Sequence, residues 1–150
     1  MVRTGSRAVR HEVDDDIEQS LAERLAMLAA FLPTFEAPEF RFGEWHHESG
    51  HFPHFNLGEE AVRFVDTAYN HGWVTSRVHW VEWIQTAEAQ RFANDSSEID
   101  SASVFDLECL LTTLIRQDRF VEGNLASAFD SGMLTAIVRR TGVLLSGAFD

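Results

Sequence analysis

The chain has 150 residues, 45% of them hydrophobic, and a formal net charge of −12 from 24 acidic and 12 basic side chains. This length and composition can fill the core of one domain, which excludes a wholly disordered protein. An acidic surface disfavours broad nucleic-acid binding, because basic side chains supply most of the affinity for phosphate. Lysine is absent, which excludes Schiff-base chemistry on a lysine amine.

The compartment is inferred from three features. No apolar run approaches the roughly 20 residues that a membrane helix requires. The arginines near residues 1–12 are not followed by the apolar segment of a secretory signal. The single cysteine, Cys109, lies in an apolar helical stretch and is expected to be a buried small hydrophobe. We therefore expect a cytoplasmic protein that does not associate with a membrane.

The first helical pattern follows an N-terminal tail. Residues 1–13 are expected to be disordered, and residues 14–150 to form a single helical domain. Apolar side chains recur at helical spacing from Ile17 to Leu32, and Pro33 marks the expected end of this helix.

An aromatic segment comes next and is not helical. Phe40 and Phe42 alternate with polar residues, and prolines and glycines interrupt the stretch up to residue 56. This pattern favours a small β-hairpin near residues 39–56 with its turn near Ser49-Gly50. A loop anchored by its aromatic side chains is the alternative.

The rest of the chain reads as helices. Periodic apolar residues predict helices within residues 58–73, 75–92, 103–120, 122–132 and 133–142, with Gly142 ending the last one. The sequence thus predicts a mainly α fold: a single compact domain of about six helices, with or without the hairpin.

Histidines cluster in the segment "EWHHESGHFPHF". Four of the seven histidines lie within nine positions: His46, His47, His51 and His54. Histidine is a ligand for zinc, copper and nickel, so one hypothesis is a metal-dependent hydrolase using this loop with Glu44 or Glu48. However, Gly50 and Pro53 disfavour a rigid helical frame, and the spacing indicates that the histidines do not converge. We therefore predict no metal ligand and no cofactor.

Two further groups are candidates for binding. Trp80 and Trp83 lie three residues apart and are expected to share one helix face, as a groove wall or as core. Four charged residues follow the most apolar helix and could form a structural ion-pair network or a pocket for an acidic group. These residues are Arg116, Asp118, Arg119 and Glu122.

Residues 126–140 match a helix-turn-helix only loosely. Ala128, Gly132 and Val138 have its spacing, and the second helix would carry Arg139 and Arg140. A DNA-binding regulator is thus a third hypothesis, disfavoured by the acidic chain.

The tryptophan and arginine motifs also carry a resemblance. The W-x-x-W of "VHWVEW" and the R-x-D-R-F-x-E-G of "LIRQDRFVEG", together with "FGEW", resemble a group of small bacterial and archaeal proteins classed as a domain of unknown function. The likeness runs from about Leu25 to Arg140 and implies no activity.

The leading hypothesis is a non-catalytic binding or interaction protein. Its recognition surface would be the groove between the tryptophan helix and the turn from Arg116 to Glu122, with an unknown protein or a small acidic ligand as the partner. No catalytic residue is predicted. A homodimer through exposed tryptophans is compatible with all three hypotheses.

Overall fold

The computed structural model describes residues 21–48, 50 and 52–148. Within them the fold is mainly helical, as predicted, with one two-stranded antiparallel hairpin. The elements in chain order are α1 (helical over 21–29), α2 (Leu32–Glu36), β1 (Gly43–His46), β2 (His54–Leu57), α3 (Glu59–Asn70), α4 (Trp80–Trp83), α5 (Ala87–Asn94), a 3₁₀-helix (Ser96–Ser101), α6 (Val104–Asp118), α7 (Asn124–Asp130) and α8 (Met133–Ala148).

The role predicted for Pro33 is wrong. The first helix ends about a turn earlier, and Pro33 instead lies in the first turn of α2. That position suits proline, because the first N–H groups of a helix have no intrahelical partner. The predicted disordered tail, residues 1–13, lies outside the described residues.

The single helix predicted over residues 75–92 is divided into two. Thr86 separates α4 from α5: its hydroxyl donates to the Trp83 carbonyl at 2.7 Å and accepts from the Ala89 N–H at 3.2 Å. A threonine N-cap that satisfies the first N–H groups of α5 therefore replaces a continuous helix.

The last helix is longer than predicted. It continues through Gly142 to Ala148. Glycine commonly ends a helix by adopting a left-handed conformation, which occurs at Gly72 and Gly132 but not at Gly142. A glycine after an apolar run was thus not sufficient to locate the helix end.

The core is built around α6 and α8. Ser103 and Asp106 form a capping box that starts α6. Fully buried side chains on the two helices include Leu107, Leu111 and Ile137. A second part of the core is aromatic: the ring of Phe35 has its centroid 5.2 Å from Phe64 and 5.3 Å from Phe129 (the other rings of this cluster are Phe31, Phe40 and Phe42). These rings fix the segment that leads into the hairpin.

The predicted hairpin is confirmed. Trp45 pairs with Phe55 and His46 with His54 across the two strands. Ser49, one half of the predicted turn, lies outside the described residues. Because strand side chains alternate between faces, the Trp45–Phe55 pair and the His46–His54 pair lie on opposite faces of the hairpin.

Candidate functional site

A groove lies between α4 and α6, where the sequence predicted a recognition surface. Its volume is about 350 Å³, which is at the small end of the range for ligand pockets. Trp80 lies on its wall, and its indole stacks on the ring of Phe120 with centroids 6.3 Å apart. The groove is lined by Ser76, Val78, His79, Trp80, Val81, Glu82 and Arg116.

The two tryptophans have different roles. Trp80 contributes to the groove, whereas Trp83 packs against the hydrophobic core and is absent from the groove lining. Both side chains are partly buried. The short helix α4 thus uses Trp83 as its anchor and presents Trp80 and the exposed Val81 at the surface.

Arg116 is distinct among the arginines that the structure describes. Its guanidinium has no hydrogen-bond or ion-pair partner within this part of the chain, although it is only partly exposed. Arg41 also lacks such a partner but is exposed. A partly buried cation without a counter-charge incurs a desolvation cost that an acidic ligand would offset. Arg116 is therefore the charged groove residue that an acidic ligand would neutralise.

The other three charged residues of the predicted cluster each hold a different neighbour. Arg119 donates to the hydroxyl of Tyr69 at 2.8 Å, and Asp118 accepts from the N–H of Leu125 at 2.9 Å. Neither residue lines the groove.

Glu122 connects the hairpin to the turn between α6 and α7. Its carboxylate accepts from the N–H of Phe55 at 2.7 Å, and the ring of Trp45 lies directly over Gly123. No ion pair joins Arg116, Asp118, Arg119 and Glu122 to one another in the described part of the chain. The described contacts of Asp118, Arg119 and Glu122 are thus to neutral groups, and the mutual ion pairs that one of the two interpretations required are not among them.

Sequence reasoning missed several groove residues. Phe120, which stacks on the groove residue Trp80, is 78% exposed and lies within the charged cluster between Arg119 and Glu122; it is part of the R-x-D-R-F-x-E-G motif but was not predicted as a site residue. Val81 and Glu82, between the two tryptophans, also line the groove. The sequence indicated these residues only through their position beside the predicted site residues. Neighbouring residues on a short helix or turn lie close to the same surface.

The histidine segment differs from its prediction in one respect. The spacing indicated that the histidines do not converge, but the hairpin register brings His46 and His54 face to face. Their ring centroids are 5.6 Å apart, with 14° between the planes. His51 lies outside the described residues. Among the rest, no group of three or more histidine, cysteine or acidic side chains is arranged to hold a metal ion.

Cys109 is not an activated nucleophile. Burial raises the pKa of its thiol to about 11, and the neighbouring carboxylates of Asp106 and Glu108 add to the shift. Since the thiolate is the reactive form, this agrees with the expected role of Cys109 as a buried hydrophobe.

The helix-turn-helix segment is committed to the core. Ile137 and Val138 on α8 are fully buried. Arg139 pairs with Glu36 at 3.2 Å, and Arg140 donates to the Ala102 carbonyl at 2.8 Å. A recognition helix needs free side chains on its exposed face, whereas Arg139 and Arg140 both already have partners within the fold.

In the described part of the chain, no helix is both long and apolar enough to cross a bilayer.

A family profile connects the chain to other proteins. Neither the curated proteins nor the solved structures contain a match to it. The profile of a family of unknown function, DUF6508, matches residues 20–146. The chain therefore belongs to the DUF6508 family.

Proposed function

We propose that this protein is a non-catalytic binding domain, and that the groove between α4 and α6 recognises a peptide segment with an aromatic side chain beside a carboxylate. The observation that carries the proposal is the partly buried Arg116 guanidinium, which has no partner among the described residues. The carboxylate would bind Arg116 through a charge-assisted hydrogen bond, and arginine suits this role because its donors match both carboxylate oxygens.

The apolar part of the groove supports the same partner. Val81 is 54% and Phe120 78% exposed, and Trp80, next to Val81 in the chain, stacks on Phe120. Large exposed apolar side chains next to each other are typical of interaction sites. An aromatic ring of the partner would extend the existing stack of Trp80 on Phe120.

The groove also limits which acidic partners fit. Glu82 lies in the same lining as Arg116 and repels a second negative charge. The chain as a whole has a net charge of −12, so a highly acidic partner is repelled at long range. A segment with one carboxylate and a hydrogen-bond donor beside it would satisfy both Arg116 and Glu82. A cytoplasmic setting is part of the proposal, because the thiol of Cys109 is free and suits a reducing compartment.

The test uses a minimal probe, N-acetylphenylalanine, and its uncharged amide. We expect the acid to bind with a Kd on the order of 1 mM, shifting the indole N–H resonance of Trp80 in ¹H–¹⁵N spectra. The amide should bind about tenfold more weakly, as should the acid to the R116M variant, because a hydrogen bond to a charged group is lost.

Arg77→Met is the matched control. Arg77 is an exposed arginine next to the groove-lining residues Ser76 and Val78, and among the described residues its guanidinium hydrogen-bonds to the hydroxyl of Thr75 and forms no ion pair. The affinity of the R77M variant for N-acetylphenylalanine should stay within twofold of wild type. Equal binding of acid and amide, or an unchanged affinity in R116M, contradicts the proposal. If a second copy of the chain fills the groove, R116M would instead change the sedimentation coefficient.

A further inference from the structure

The outer face of the hairpin carries a second group of chemically active side chains, independent of the groove. His46 and His54 are directly opposed across the strands, and Glu44 and Asn56 form the next pair on the same face. All four side chains are exposed. The opposite face carries Trp45 and Phe55, as strand alternation requires.

We propose that His46 and His54 form a two-histidine site for a divalent transition-metal ion, with Zn²⁺ as the representative ion. Their ring centroids are 5.6 Å apart. Two imidazoles that share one tetrahedral Zn²⁺ at the usual Zn–N length have centroids about 5.2 Å apart. The observed separation therefore needs only a small adjustment to accept the ion.

The rings must rotate but the backbone need not move. The two imidazole planes are now nearly parallel, at 14°, and each has to turn so that one nitrogen faces the ion. Rotation about the terminal side-chain bond of histidine has a broad, shallow profile, and exposed rings meet little steric resistance. In a flexible loop, ion binding would also have to order the backbone. At this site only the two side chains have to reorient.

The strands fix the spacing of the two histidines. Backbone pairing places His46 opposite His54, and the rings of Trp45 and Phe55 pack at 5.4 Å on the other face. Glu122 holds the strand β2 through the N–H of Phe55. Folding has thus already brought the two ligands together, so ion binding does not incur that loss of conformational entropy.

The remaining ligand positions are open. Because no cluster of three candidate ligands exists among the described residues, the protein supplies two nitrogens, and water or an exogenous group completes the coordination. Arg41 and Glu44 both lie beside His46, so their charges largely offset each other. Imidazole favours Zn²⁺, Cu²⁺ and Ni²⁺ over Mg²⁺ or Ca²⁺. With half the ligands of a structural zinc site, the expected Kd is on the order of 10–100 µM.

The test is a calorimetric titration of untagged protein with ZnCl₂, followed in parallel by the ring-proton resonances of the histidines. We expect one Zn²⁺ per chain, with His46 and His54 shifting together. H46Q and H54Q should each weaken binding at least tenfold and keep the wild-type circular dichroism spectrum, because both side chains are exposed.

His47→Gln is the matched control, since His47 is the exposed neighbour of His46 outside the paired strands. Its affinity for Zn²⁺ should match wild type. An equal loss in H47Q, no loss in H46Q, or no saturable binding of one ion per chain overturns the proposal. The indole N–H of Trp80 should not respond to Zn²⁺, so this outcome is separate from that of the groove.

Discussion

The ion pair between Arg24 and Glu108 joins the first helix to the centre of the fold, and its removal is expected to be costly. The guanidinium of Arg24 donates to Glu108 at 2.7 Å and to the carbonyl oxygens of His71 and Gly72. It also lies over the indole of Trp73, 4.5 Å from the ring centroid. One side chain therefore connects α1, the end of α3 and α6.

Replacing Arg24 with methionine keeps much of the apolar volume but removes every polar contact. The side chains of Arg24 and Glu108 are only 18% and 11% exposed, so Glu108 would be left as a nearly buried charge without its partner. Loss of one partner of a buried pair typically costs about 3–5 kcal/mol. Because some solvent reaches this pair, we expect R24M to lower the free energy of unfolding by about 3 kcal/mol.

A second substitution separates the loss of attraction from the stranded charge. The double variant R24M/E108M has no uncompensated charge, and apolar replacement of a buried pair is often close to neutral. We expect it to be about 2 kcal/mol more stable than R24M alone.

Urea unfolding followed by tryptophan fluorescence measures both differences, since Trp73 is fully buried and is exposed on unfolding. Arg63→Met is the control, because the Arg63–Glu60 pair is 64% and 31% exposed and should contribute less than about 1 kcal/mol. The reasoning is refuted if R24M lies within 1 kcal/mol of wild type, or if the double variant is less stable than R24M.

Two further predictions concern the hairpin junction and the thiol. Gly123 has φ 78°, and an added Cβ would lie 2.5 Å from Cζ2 of Trp45. We therefore expect G123A to lower the free energy of unfolding, measured by thermal denaturation, by about 2 kcal/mol. That loss should shrink in a Trp45→Ala background; an equal loss there would contradict the steric cause. With its pKa raised to about 11, Cys109 should resist a disulfide reagent at pH 8 and react fully in denaturing urea; fast labelling of the folded protein would contradict its burial.

The long helices could be predicted from the sequence because periodicity and caps agree in them. The helix α6 has an uninterrupted apolar face and a Ser103–Asp106 capping box. The failures came from single residues with two possible uses. Pro33 can end a helix or begin one, and Thr86 can lie within a helix or cap the next. Which use applies depends on tertiary packing.

The candidate site could be predicted only in outline. The sequence predicted a groove between the tryptophan helix and the turn from Arg116 to Glu122, and Trp80 and Arg116 do line one groove. It could not indicate that Arg119 contacts Tyr69, 50 positions away, or that His46 and His54 are register partners. The Tyr69 contact depends on how distant segments dock, which local patterns do not encode. The histidine pair depends on the exact register of a local hairpin, and a shift of one residue would change every cross-strand pair.

The short turn over residues 119–123 touches both candidate surfaces. On one side Phe120 stacks on Trp80 at the groove, and on the other Gly123 supports the ring of Trp45 at the base of the hairpin. An insertion or deletion within these five residues would therefore disturb the packing of both surfaces at once. Single side-chain substitutions such as R116M and H46Q leave this turn intact, which is why they can test the two surfaces one at a time.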